Sequence, residues 1–229
     1  MSTGVRSKGS LTMVKAMFGL RRRMLAVVLA LGLPGTALSV QPPLPLPARI
    51  EVSGAIYALA VQADRRTVVG GSFTSINGVA RSSIGRLNTD GSVDLTWDPG
   101  AGSAYGKVYS LCATGNAIVV GGSFTTMGGK ARRNLAAVGI AEGVATDWDP
   151  QADGYVNALA LYGGTLFVGG GFFALDGQLR SGLAAVDAAT GTLAAWNPAP
   201  NGGIETMAVA GNTLYVGGSF NSIGGGGIA

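Results

Sequence analysis

The sequence contains no histidine and only one cysteine, Cys112, among its 229 residues. Without histidine there is no Ser-His-Asp or Cys-His nucleophile, no histidine-ligated zinc and no imidazole base working near neutral pH. With one thiol there is no internal disulfide, so stability has to come from packing. Charge is also scarce, at 12% of residues, whereas 47% are hydrophobic and 39 are glycine. That balance excludes a disordered polyelectrolyte and a coiled coil, and glycine without a three-residue period excludes collagen.

Acids are missing from one region altogether. Residues 1–39 carry six of the 16 lysines and arginines and none of the 12 acids, so the chain from Val40 onward has a formal charge of about −2. The basic balance belongs to the leading segment and leaves no basic footprint for nucleic acid on the rest. Arg21-Arg22-Arg23 precedes an apolar run over residues 24–33, followed by a Pro34-Gly35 break and the small residues Ala37 and Ser39. A basic stretch, a short apolar stretch and a small-residue cleavage site together predict a signal peptide over residues 1–39 and an exported protein, whether secreted, periplasmic or on the cell surface. The run is well short of the ~20 residues of a spanning helix, so no membrane span is expected after cleavage. Residues 40–49, with Pro42, Pro43, Pro45 and Pro47, read as a stiff extended linker.

From residue 50 the sequence repeats itself. Gly70-Gly71-Ser72-Phe73 returns at Gly121-Gly122-Ser123-Phe124, Gly169-Gly170-Gly171-Phe172 and Gly217-Gly218-Ser219-Phe220, at intervals of 51, 48 and 48 residues. Trp97-Asp98-Pro99, Trp148-Asp149-Pro150 and Trp196-Asn197-Pro198 keep step with it. A period near 48 signals a solenoid, propeller or array. Each unit carries short β-type runs separated by Gly-rich turns, with no sustained helical period. The pattern predicts an all-β chain: a β-propeller arc of four-stranded antiparallel blades. Its units fall at about 50–102, 103–153, 154–201 and an incomplete 202–229, or about three and a half blades. Such an arc is expected to be a fragment of a larger propeller, or to self-associate through open blade edges, because an uncovered edge strand is an aggregation liability.

Leu214-Tyr215-Val216-Gly217-Gly218-Ser219-Phe220, the run Ser72 to Gly78 and the run Arg86 to Ser92 resemble the bacterial delta-60 beta-propeller repeat. The glycine doublet followed by a late tryptophan is similar, more distantly, to kelch repeats. The resemblance covers about residues 50–229 and implies the propeller fold. It implies neither an activity nor a cofactor, because propellers host many functions.

An arginine precedes the third strand of every complete unit, at Arg81, Arg132 and Arg180, each 17 residues before Asp98, Asp149 and Asn197 respectively. This constant spacing predicts a structural clamp between the two positions. Residues that break the repeat are the better binding candidates. They are Tyr105 and Lys107 in the first crossover, Arg133 beside Arg132, and Arg65-Arg66 in a hairpin one residue longer than its equivalents. Asp90 with Asp94, and Asp147 with Asp149 and Asp153, lack the ligand spacing of a calcium loop. The glycine pairs lack the Gly-Lys-Ser/Thr of a phosphate loop. No metal or cofactor is expected. Cys112 aligns with Ala60, Ala160 and Ala208, which reads as a small strand residue. The expected function is an exported, non-catalytic module of a larger cell-surface or secreted protein, binding an unknown protein or glycan. The alternative is a propeller enzyme acting on glycans, which needs a converging acid pair; only Glu205 falls near a suitable inner-strand position.

Overall fold

In the computed structural model, described for residues 12–16, 50–103 and 106–224, every regular element is a β-strand. Four first strands, Val52–Val61, Lys107–Thr114, Val156–Tyr162 and Ile204–Ala210, lie side by side in sequence order. Each is paired antiparallel with its own second strand, Thr67–Ile76, Ala117–Ser123, Thr165–Gly170 or Thr213–Gly218. Third strands Ile84–Leu87, Leu135–Gly139 and Leu183–Asp187 then add antiparallel to the first three second strands. The fold is a β-propeller.

The glycine doublet has two separate jobs. In all four units the first strand makes a β-bulge opposite the doublet, so that Tyr57, Tyr109, Asn157 and Glu205 are the unpaired extra residues. The bulge pushes the preceding carbonyl inward. A Cβ on the second glycine would collide with the carbonyl oxygens of Ala55, Lys107, Tyr155 and Gly203 at Gly71, Gly122, Gly170 and Gly218 respectively. The first glycine instead receives a side chain from the next unit. Val108 sits over Gly70; Val156 Cγ1 lies 2.6 Å from where a Cβ on Gly121 would be, and Ile204 Cγ2 lies 2.7 Å from that of Gly169. These three knobs are completely buried and help fill the apolar clusters between units. Val68, Val119 and Phe167 bury the facing surface of each preceding unit.

The fourth position of each unit is not a strand. Its β-pairing with the third is confined to single bridges, Leu87 to Val93, Val138 to Ala145 and Val186 to Leu193, so the expected four-stranded blade is three-stranded with a tethered fourth segment. The repeated arginines hold this segment through its backbone carbonyls. The Nη2 groups of Arg81, Arg132 and Arg180 donate to the carbonyls of Asp94, Thr146 and Ala194 at 2.8, 2.6 and 3.0 Å. The segment then carries its tryptophan onto the next unit: Trp97 Nε1 donates to the Gly139 carbonyl at 3.0 Å and Trp148 Nε1 to that of Asp187 at 3.4 Å. Trp196 meets Phe167 edge-on, with ring centroids 5.4 Å apart.

At the fourth unit the sequence predicts an uncovered outer edge, and the structure corrects this. Thr12–Ala16 pairs in parallel with Thr213–Gly218, from Thr12 opposite Thr213 to Ala16 opposite Gly217, in the slot that an antiparallel third strand fills in the other units. The rest of the expected signal peptide and all of the linker, residues 40–49, lie outside the described residues.

Candidate functional site at the bulged ends of the first strands

The loops between second and third strands are small hairpins whose turns, Asn77-Gly78, Gly128-Gly129 and Asp176-Gly177, all have positive φ. They stand at the same end of each sheet as the bulges. There the backbone repeats while the side chains do not, and the bulge re-aims one residue per unit, a feature common beside functional sites. The Tyr57 and Tyr109 rings lie 5.8 Å apart at 39° across the first two units. The Tyr57 hydroxyl also shares a hydrogen bond of 2.8 Å with Ser72 Oγ. Asn157 Nδ2 donates to the Ile204 carbonyl at 3.2 Å, bridging the third and fourth units beside Glu205. Glu205 is exposed and has no partner among the described residues.

One position before Ile56 and the three knobs Val108, Val156 and Ile204 stand Ala55, Lys107, Tyr155 and Gly203. The Tyr155 ring, 47% exposed, lies over Gly171, where the other three units have serine. Two tyrosines that sequence reasoning passed over, Tyr109 and Tyr155, therefore join Tyr57, Asn157, Glu205 and Lys107 at one end of the strand row. The signal was present in the alignment as two tyrosines, an asparagine and a glutamate at one repeat position, 12 residues before the doublet in three units and 13 in the first, whose hairpin is one residue longer.

Of the binding residues expected from sequence, Lys107 is part of this end and half-buried. Arg133 is exposed, and its carbonyl accepts from the Ala152 amide at 3.2 Å; no described contact brings it to Lys107. Tyr105 lies outside the described residues. Arg65 occupies the left-handed region (φ 68°) in a three-residue loop closed by the Gln62 amide and Arg66 carbonyl at 2.9 Å, against two-residue loops in the other units. Arg66 turns back to Asp64 at 2.7 Å and Asp94 at 3.2 Å.

Of the three side-chain pairs expected as clamps, two are in contact and they differ in distance. Arg132 and Asp149 approach to 3.1 Å, and Arg81 and Asp98 to only 3.5 Å. Asn197 is exposed and makes no described contact with Arg180. The invariant feature is a pair of carbonyls, since each arginine also donates Nη1 to its preceding carbonyl, those of Ala80, Ala131 and Leu179, at 2.7, 2.8 and 2.8 Å. The arginine binds backbone, and the acid is an addition that the third unit omits.

The first unit adds a buried charge pair of its own. Arg86, where the other units have Ala137 and Ala185, is 1% exposed; its Nε and Nη2 reach Asp94 Oδ2 at 2.9 and 2.8 Å, and its guanidinium lies 5.0 Å from the centre of the Trp97 ring. Burial raises the Asp94 pKa, but the hydroxyl and amide of Thr96 and the Arg86 guanidinium outweigh it and hold the group at about 2. Asp90 accepts from Ser92, Asp147 pairs with Lys130, and Asp153 accepts the amides of Phe173 and Ala174. No group of acids or thiols able to hold a metal occurs among the described residues. Burial pushes the Cys112 thiol up to about 11, in keeping with a strand residue that pairs with Val119 as Ala60 pairs with Val68.

Residues 62–96 match the family model described as a domain of unknown function (DUF5122) beta-propeller. No curated protein matches the chain. Among solved structures the chain is similar to the computationally designed Ika4 protein, at 17% identity and a TM-score of 0.50, over 80% of this chain and 95% of that one. It is also similar to the extracellular domain of a protein from B. thetaiotaomicron described as a one component system, at 16% identity and a TM-score of 0.45, over 75% of this chain but 20% of that one. The likeness to Ika4 and the match over 62–96 agree with the strand order above: within this chain, one segment matches a family of β-propellers, and the fold is theirs.

Proposed function

We propose that the chain is a non-catalytic recognition module of an exported protein, binding a glycan at the bulged end of its first strands. The observation that carries the reading is the bulge row itself: four equivalent backbone positions present Tyr57, Tyr109, Asn157 and Glu205. Side chains that serve packing recur from unit to unit here, as the knobs and the clamp arginines do, so a repeated backbone position that changes from tyrosine in two units to asparagine and glutamate in the others points to a ligand. Tyrosine faces suit the C–H faces of a sugar ring, while an amide and a carboxylate suit its hydroxyls. A cleaving enzyme would need a second carboxylate about 5–9.5 Å from Glu205; the equivalent positions hold two tyrosines and an amide. Binding of a neutral oligosaccharide panel, followed by NMR of the bound sugars over a day, separates the readings. Retained binding with intact sugars supports recognition, and new reducing ends that disappear in Glu205→Gln make the protein an enzyme. A protein partner bound with no oligosaccharide affinity contradicts the glycan reading.

Export rests on the charge split at residue 39 and the apolar run before it. Cleavage there would remove Thr12–Ala16 from the edge of Thr213–Gly218, so the exported form would carry that edge open or covered by another strand.

A further inference from the structure

Tyr155 departs from the repeat together with two glycines that make room for it. The residue after the doublet is Ser72, Ser123 and Ser219 in the other units and Gly171 in the third. A Cβ on Gly171 would collide with Tyr155 Cζ and lie 2.7 Å from its Cε2, so the phenol could not rest where it does over a serine. Its hydroxyl reaches the fourth unit, 3.9 Å from the Cβ position of Gly203, where the preceding units have Ala55, Lys107 and Tyr155 itself. Asn157 reaches the same stretch: its Nδ2 donates to the Ile204 carbonyl at 3.2 Å, which leaves Oδ1 as an acceptor. Glu205 is the next residue and is exposed. Among the described residues neither the Tyr155 hydroxyl nor the Glu205 carboxylate has a hydrogen-bond partner. An exposed ring, an amide oxygen and a carboxylate from two units therefore meet around residues 203–205.

We infer that this convergence is a second sugar subsite with Tyr155 as its stacking platform, and that the ligand is an extended neutral glycan chain occupying it together with the Tyr57–Tyr109 pair, which rests on the glycan reading of the bulge row. The Tyr57 and Tyr109 rings, 5.8 Å apart and tilted at 39°, offer one platform across the first two units, and Tyr155 offers another across the last two. One sugar ring stacks on one platform or the other; a chain is needed to stack on both. The second platform is flanked by acceptors, Asn157 Oδ1 and the Glu205 carboxylate, which take sugar hydroxyls and repel a uronate. Gly171 and Gly203 set the specificity indirectly, by clearing the seat of the ring.

Calorimetric titration of the full chain with the best neutral oligosaccharide from the panel, taken from disaccharide to hexasaccharide, tests this in the wild type, Tyr155→Ala and Gly171→Ser. Serine at 171 is the residue that the other units carry, and the position has no left-handed φ, so this variant keeps its fold while displacing the ring. Wild-type affinity should rise about tenfold or more with chain length before levelling. Both variants should bind the disaccharide as the wild type does and lose the rise, whereas Tyr155→Phe, which keeps the ring face, should retain it. The matching oligouronide should bind the wild type about tenfold more weakly than the neutral chain, and Glu205→Gln should narrow that gap. Affinity that does not grow with length, a rise that survives both Tyr155→Ala and Gly171→Ser, or a preference for the oligouronide would overturn the second subsite while leaving recognition at Tyr57 and Tyr109 standing. Absence of binding at every length would contradict the recognition reading and this subsite together.

Discussion

Val156 of the third unit occupies the space that a side chain at Gly121 of the second would need, its Cγ1 lying 2.6 Å from the Cβ position. The pairing explains why the doublet is glycine at both places: one glycine admits a neighbour's knob and the other a bulged carbonyl. Gly121→Ala should therefore destabilise by roughly 1–3 kcal/mol through overpacking, whereas Gly217→Ala, whose Cβ would meet only Thr206 Cγ2 at 3.0 Å, should stay within about 0.5 kcal/mol. Urea unfolding of the two variants checks the contrast, and equal losses would show that the knobs do not set the cost.

The arginines should behave as backbone anchors. Arg132→Ala and Arg180→Ala are each expected to cost about 2–4 kcal/mol, because each loses two charge-assisted bonds to carbonyls. Asp149→Ala should cost about 1 kcal/mol or less. A double-mutant cycle on Arg132 and Asp149 reads the ion-pair share directly. If Arg180→Ala, whose partner position is an amide, proves nearly neutral while Arg132→Ala does not, the carboxylate is the anchor after all.

Acid should weaken the first unit specifically. Asp94 titrates at about 2 in the folded chain against 3.8 for its ordinary value, so its stabilisation is complete above about pH 4 and is lost as pH falls toward 2. The full effect is about 2 kcal/mol. Asp94→Asn should remove this part of the pH dependence and cost roughly 3 kcal/mol at neutral pH, because Arg86 is left buried without its partner. Unfolding free energies measured between pH 3 and pH 6 should have a smaller slope in the variant; an unchanged slope would show that Asp94 is not the titrating group.

Much of the fold was legible because glycine and tryptophan at a fixed period can be read without knowing how they pack. The third strands and the register of Cys112 followed from that period. Three things did not. The fourth segment looks like a strand in sequence, since 192–196 is short and apolar, but Arg180 takes the Ala194 carbonyl. Repeat arithmetic put an arginine and an acid 17 residues apart without revealing that the arginine's constant partners are carbonyls. Pairing with Thr12–Ala16 was invisible because nothing in a basic leader marks it as an edge strand. At the site, Glu205 stands out in the sequence as the acid near a suitable inner-strand position, but the bulge register is what shows Tyr57, Tyr109 and Asn157 at the same place in their own units.

Loss of the leader should expose the last unit. Hydrogen exchange on a chain lacking residues 1–39 should show faster exchange across Thr213–Gly218 than in the full chain, with the first three second strands unchanged. Equal protection in both chains would mean that Thr12–Ala16 does not hold that edge. Mass spectrometry of the mature N-terminus in exported material should find it near Val40, and an intact residue 1–20 segment would argue against the signal.

Recognition by the bulge row is tested most directly by calorimetric titration of the best oligosaccharide from the panel into the wild type and the Tyr57→Ala/Tyr109→Ala double variant. Both tyrosines are only half-buried, so the variant should keep its fold and its unfolding midpoint to within a few degrees. The account predicts at least a tenfold loss of affinity, about 1.4 kcal/mol or more. Unchanged affinity in a folded double variant would place the binding surface elsewhere and contradict the central claim.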